Sequence, residues 1–154
     1  MAVLIFSITS LPNMPANMQH TRYITVDLEI RSSLPFHKLV DFFEKADEYA
    51  HLHFDKDTNE WSISSSLDPK HSPNACIVYY IEWIKSFPDD VRQEWGHAHQ
   101  KCMNIGYSVS SSHWGFVENI SSDTLAEMAA LGLSLAVTLY PIDMQENYID
   151  TEGE

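Results

Sequence analysis

The chain has 154 residues, 44% hydrophobic, 12% aromatic and 20% charged, and its 22 Asp and Glu against 9 Lys and Arg leave a net charge of -13. This is the composition of one folded domain with its own core, and the charge excludes a basic phosphate-tracking surface for nucleic acid or anionic membrane. The charge is lopsided: Lys101 is the last basic residue, and eight carboxylates follow it (Glu118, Asp123, Glu127, Asp143, Glu146, Asp150, Glu152 and Glu154).

Residues 1–20 read as an N-terminal extension. Val3–Phe6 is apolar, but no Lys or Arg precedes it, and the run is too short for a signal-peptide core or a bilayer span. An extra edge strand is the alternative, and Met14 or Met18 are alternative starts. The patterned domain covers residues 21–141. Arg22–Arg31 alternates, with Ile24, Val26, Leu28 and Ile30 on one face and Tyr23, Thr25, Asp27 and Glu29 on the other, which predicts a half-buried strand. Ser33-Leu34-Pro35 opens a helix in which Phe36, Leu39, Val40, Phe43 and Ala50 recur at helical spacing. His51–Asn59 is polar and turn-rich. A short strand, Glu60–Ser65, follows with Trp61, Ile63 and Ser65 on one side. Ser72-Pro73 supplies a capping hydroxyl and a proline at the first helical position for a helix buried through Ile77, Tyr80, Ile81 and Ile84. Phe87-Pro88 ends it. Asp89 and Asp90 suit the positive end of a further helix, continued by Val91, Trp95, Ala98 and Cys102.

Met103, Ile105, Tyr107 and Val109 alternate with Asn104, Gly106, Ser108 and Ser110, predicting a second clear strand. The Ser110–Ser112 link makes His113–Ile120 its antiparallel hairpin partner. Ser121 caps a last helix that faces inward through Leu125, Met128, Ala129 and Leu131. Gly132 stops it in left-handed backbone. Leu133–Tyr140 is the last strand, Pro141 ends it, and residues 142–154 form an acidic tail. The order β-α-β-α-α-β-β-α-β predicts an α+β, ferredoxin-like sandwich with a mostly antiparallel sheet and helices on one face.

The stretch Trp114–Asp143, WGFVENISSDTLAEMAALGLSLAVTLYPID, resembles the C-terminal signature of a bacterial family, domain of unknown function 4279. The matching elements are the Ile120-Ser121 entry, the Thr124-Leu125 helix start, the Ala130-Leu131-Gly132 stop and the strand ending at Tyr140. The strand Tyr23–Ile30 and the tryptophan strand at Glu60-Trp61-Ser62 also fall in place, so the resemblance covers residues 21–143. It implies a small cytosolic bacterial protein, and some such domains resemble immunity proteins that neutralise secreted toxins.

The chemistry-bearing residues form no strong catalytic signature. His51-Leu52-His53-Phe54-Asp55 has the His-x-His-x-Asp spacing of several metallohydrolases, and alternate residues of a strand point the same way. Lys56 rather than His comes next, however, and solvated histidines are the plainer reading. His97 and His99, two apart on a helix, do not converge. Cys76 and Cys102 lie in no Cys-x-x-Cys motif and read as free thiols in a reducing cytosol. The serine runs contain no nucleophile elbow, and the 5 glycines form no phosphate loop. No cofactor is implied, and the oligomeric state is left open.

The C-terminal acids differ because no basic residue is near them in sequence. Glu118, Asp123, Glu127, Asp143 and Glu146 are candidate contacts for Lys or Arg of a partner, with Trp114, Tyr140 and Tyr148 as aromatic anchors. A solvated surface is the plain alternative. Together with the resemblance, they make the expected function a non-catalytic, cytoplasmic immunity protein. It would bind a cognate basic toxin domain, such as a nuclease, by acidic mimicry of the substrate backbone. The alternatives are a small metal-dependent hydrolase using His51, His53 and Asp55, or a housekeeping interaction module.

Overall fold

The structure is a computed structural model that describes residues 20–46, 50–66, 72–111 and 115–141. All but the last residue of the expected N-terminal extension, its edge-strand alternative, and the whole acidic tail lie outside the described residues. The elements are β1 (Arg22–Ser32), α1 (His37–Lys45), β2 (His51–Asp55), β3 (Glu60–Ser66), α2 (Pro73–Lys85), α3 (Asp89–His97), β4 (Gln100–Val109), α4 (Ser122–Ala130) and β5 (Ser134–Pro141). The strands form one sheet in the order β2-β3-β1-β4-β5. Neighbours are antiparallel except β4 and β5, which run parallel.

The mostly antiparallel five-stranded sheet and the four helices match the expectation, but the ferredoxin-like strand order does not. Two elements account for the difference. His51–Asn59, read as loop, makes β2 and the turn of a hairpin with β3, in which the Asp55 carboxylate accepts from the Asp57 N–H at 2.9 Å and Asn59 takes a left-handed φ of 57°. Residues 115–120, read as a hairpin strand, are irregular. They and α4 form the crossover that a parallel β4–β5 pair requires.

Smaller corrections follow the same logic. α1 ends at Lys45, short of Ala50, and α3 ends at His97, so Cys102 lies on β4 rather than on a helix. In β1 the register shifts between Tyr23 and Thr25. This bulge turns Tyr23 toward the core, where its ring meets Tyr107 edge-on at 6.3 Å, and leaves Ile24 exposed. On α4 the buried residues are Thr124 and Met128, whereas Leu125 and Ala129 face outward.

The core lies on one face of the sheet. Val26, Leu28 and Ile30 of β1, Ile63 of β3, and Met103 and Ile105 of β4 are buried there against Ile77, Tyr80, Ile81 and Ile84 of α2. The Tyr80 hydroxyl donates to the Ser65 carbonyl at 2.7 Å, tying α2 to β3. A chain of aromatic contacts then runs Phe43–Trp83, Trp83–Phe42, Phe42–Phe87 and Phe87–Trp95, joining α1, α2 and α3 at centroid separations of 4.5–5.7 Å.

The helix ends show why these segments are helical. Ser72 and Ser121 each accept from the N–H three residues on, at 3.2 Å, and Pro73 takes the first helical position of α2. α4 closes with Leu133 N–H on the Met128 carbonyl and Gly132 N–H on the Ala129 carbonyl. That paired arrangement needs the left-handed φ of 70° at Gly132. Asn74 Oδ1 accepts from the Ser121 N–H at 2.9 Å, and Lys85 Nζ meets Glu127 Oε2 at 2.9 Å. The start of α4 is therefore pinned to the start of α2, and its later turn to the end of α2, so the two helices run side by side in the same direction.

Candidate functional site

β5 is an edge strand with the sequence SLAVTLYP, and it carries no charge on either face. Its polar side is fixed to the sheet. Thr138 Oγ1 donates to Asn104 Oδ1, and Asn104 Nδ2 donates to Glu29 Oε1, both at 2.9 Å, which links β5, β4 and β1 across the open face. Tyr140 is on this side too, its ring so near Gly106 that a Cβ there would sit 3.5 Å from it.

The other side of β5 belongs to the core face but is left largely uncovered, because α4 lies against α2. Leu135, Val137 and Leu139 are 41%, 56% and 60% exposed. Between them and residues 115–120 runs a groove of about 470 Å³, walled by Ile105, Val109, Phe116 and Ile120 as well as the three β5 residues. This volume falls within the range of ligand-sized clefts. Phe116 stacks edge-on against Tyr107 at 5.2 Å, while the adjoining Val117 projects into solvent, 81% exposed.

Besides Thr21 and Ser110, two polar groups set the chemistry of the apolar wall. Tyr107 is 4% exposed, and its buried hydroxyl faces the Glu118 carboxylate, its hydrogen-bonding neighbour. Among the described residues, Glu118 is the one charged residue that lines the groove. Burial raises the Tyr107 pKa from 10.0 to about 12, and the nearby Glu118 carboxylate adds to the shift. The groove thus offers a dry wall, a neutral phenol and a carboxylate at its rim.

The sequence-predicted residues separate across the structure. Glu118 is at the groove. Asp123 and Glu127 are exposed one turn apart on α4. Glu127 is paired with Lys85, which also contacts Glu82 at 2.9 Å, and these bonds, Glu127's first, raise the Lys85 pKa. Tyr140 lies on the opposite face of β5 from the groove. Trp114, Asp143, Glu146 and Tyr148 lie outside the described residues.

His51, His53 and Asp55 do alternate along β2, so the expected shared direction holds. Even so, no group of three or more His, Cys, Asp or Glu able to hold a metal ion occurs among the described residues. The backbone hydrogen bond from Asp57 is the leading cause of the lowered Asp55 pKa, which marks this carboxylate as part of the turn. His99 Nε2 meets Glu60 Oε1 at 3.0 Å, and Glu94 accepts from the Leu39 N–H. Cys76 and Cys102 are buried and form no disulfide.

Sequence reasoning missed Phe116, Leu135, Val137 and Leu139 as exposed residues, and Tyr107 as the buried phenol beside them. The readable signal was the total lack of charge in a strand that follows a crossover helix, since an uncharged strand is safe only when it is covered on both faces.

These features define a two-layer α+β domain with an uncovered apolar groove along one sheet edge. No protein-family model matches the chain, and no curated protein or solved structure does. No helix among the described residues is long and apolar enough to cross a membrane.

Proposed function

We propose that this protein is a non-catalytic, cytoplasmic binding domain, specifically an immunity protein that neutralises a secreted bacterial toxin by occupying a basic surface on it. The observation that carries the reading is the groove between β5 and residues 115–120. It is an apolar surface lined, among the described residues, by a single charge, the acid Glu118, in a chain with no Lys or Arg after Lys101. Exposed apolar surface gathered beside one sign of charge is the make-up of a docking site. The likeness to domain of unknown function 4279 supports the toxin-neutralising form of the reading.

The test is affinity purification of the tagged protein from its native host, washed at low and then high salt, with bound proteins identified by mass spectrometry. The expected result is one basic toxin domain held stoichiometrically and partly released by salt. Reversing Glu118 and Asp123 together to Lys should slow association and flatten its salt dependence. Glu127 is the poorer probe, because its reversal also strands Lys85 beside a like charge. Absence of any specific partner in cells that express the neighbouring genes defeats the proposal.

A further inference from the structure

Beyond the existence of a partner, the structure bears on how that partner is held. β5 has β4 on one side and, among the described residues, no strand on the other. Natural proteins blunt such an edge with charges, and the hairpin edge β2 carries His51, His53 and Asp55. β5 has no charge at all along Ser134–Pro141. Its apolar residues Leu135, Val137 and Leu139 recur at the two-residue period that an added strand would match.

The groove beside this edge has its own chemistry. Its wall is mainly apolar, and Glu118 sets a carboxylate beside the buried Tyr107 hydroxyl. A second copy of this chain is a poor occupant, since it would bring another net charge of -13 and another Glu118. A cationic segment meets both requirements, with apolar side chains for the wall and a basic side chain for Glu118.

We infer that an extended segment of the partner adds as a sixth strand on the outer edge of β5, its apolar side chains continuing the Leu135, Val137 and Leu139 face toward the mouth of the groove, with a neighbouring Lys or Arg on Glu118. This inference rests on the proposed partner-binding function and specifies its geometry. Main-chain bonds to β5 supply the register, the groove selects alternate apolar side chains, and Glu118 selects the charge.

The probe is a short, terminally blocked peptide of alternating valine and threonine with lysine at both ends, titrated into the full-length protein and followed by amide chemical shifts. The expected result is saturable shifts at Leu135–Tyr140 and around Tyr107. Binding should be lost by at least tenfold in Val137→Asp, measured at a temperature where circular dichroism shows the variant folded, and likewise in the milder Val137→Thr to a smaller extent. In Glu118→Gln it should weaken about three- to fivefold, as for an exposed ion pair. A control peptide with glutamate in place of lysine should bind less well than the lysine form.

Absent shifts, shifts confined to the open sheet face, or equal binding of the two peptides would overturn the inference. So would peptide binding that strengthens in a Leu4→Asp/Phe6→Asp variant, which would make the chain's own N-terminal segment the occupant. A concentration-dependent dimer dispersed by Val137→Asp would make it a second copy. Partner capture keeps the two proposals apart. A basic partner retained equally by wild type and Val137→Asp leaves the binding function standing and removes the strand-addition geometry. No partner for the wild type removes the function itself.

Discussion

The N-terminus of α1 offers a test of how this fold is held. Phe36 precedes the helix and has no side-chain acceptor to cap it. The orphan N–H of Leu39 is instead satisfied from another helix, donating to Glu94 Oε2 of α3 at 2.9 Å. The bond is partly buried and charge-assisted, and it places a negative group at the positive end of α1. The Lys38–Asp90 pair joins the same two helices at 3.4 Å, but both side chains are more than half exposed, so it contributes little. Glu94→Ala should therefore destabilise by about 1–2 kcal/mol, the cost of losing a cap and leaving its donor unpaired. Glu94→Gln, which keeps a neutral acceptor, should cost roughly half of that. With a urea dependence of about 2 kcal/mol per molar, the Ala variant's unfolding midpoint falls by about 0.5–1 M, its slope unchanged. Hydrogen exchange at the Leu39 amide should quicken by more than the global loss. A midpoint within about 0.2 M of wild type, or equal damage from Gln and Ala, would refute the cross-helix cap.

Other expectations follow from single contacts. Gly132→Ala forces a side chain into a φ of 70°, although a Cβ there would meet nothing nearer than Lys101 Nζ at 3.9 Å; a loss of about 1–2 kcal/mol in chemical denaturation is expected from backbone strain alone. Ser121→Ala removes the oxygen that accepts from Thr124 N–H and should cost about 1 kcal/mol, read in the same assay. Tyr107 has a folded pKa raised from 10.0 to about 12, so its contribution to stability is complete below pH 10.0 and is lost as pH rises through about 12. Ultraviolet titration of tyrosinate against pH should show this late ionisation. In Glu118→Gln the Tyr107 pKa should fall only part of the way, because burial is the larger cause. Tyr80→Phe deletes the 2.7 Å bond to the Ser65 carbonyl and should lower stability by about 1–2 kcal/mol, with the fold intact by circular dichroism.

Local signals carried most of the fold. Ser72-Pro73, Asp89-Asp90, Ser121 and Gly132 mark helix ends by short-range chemistry, and each marks one here. The alternation from Met103 to Val109 likewise gave β4 its faces. What could not be read depends on partners distant in sequence. The bulge at Ile24 is set by β4, and no pattern within Arg22–Arg31 reports it. His51–Asp55 alternates polar with apolar, but within the polar, turn-rich run to Asn59 only the pairing with β3 makes it an edge strand with its histidines outward. Residues 115–120 contain enough apolar side chains for a strand, yet their place was decided by the parallel register of β4 and β5. That error hid the groove, since an antiparallel hairpin would have covered the β4 edge where β5 now pairs.

The groove is a small site by the measure of a stable complex, which constrains what must surround it. Covering the exposed parts of Leu135, Val137 and Leu139 would contribute about 1–2 kcal/mol each on an area scale. The total, roughly 3–6 kcal/mol, is comparable to the lower end of the association cost and leaves little surplus. A segment held there by side chains alone would bind weakly. In the proposed mode, main-chain pairing along β5 would fix the segment in register and Glu118 would add selectivity for a basic neighbour, but a tight complex still needs about 1,200–2,000 Å² of buried surface. Phe116 and Val117 add exposed apolar surface beside the groove, and the first turn of α4 that follows residues 115–120 carries the exposed acid Asp123. If the proposed partner is bound this way, strand addition at β5 would be the anchor of a wider acidic interface. Substitutions at Val137 should act mainly on dissociation, and substitutions at Asp123 mainly on the rate of encounter.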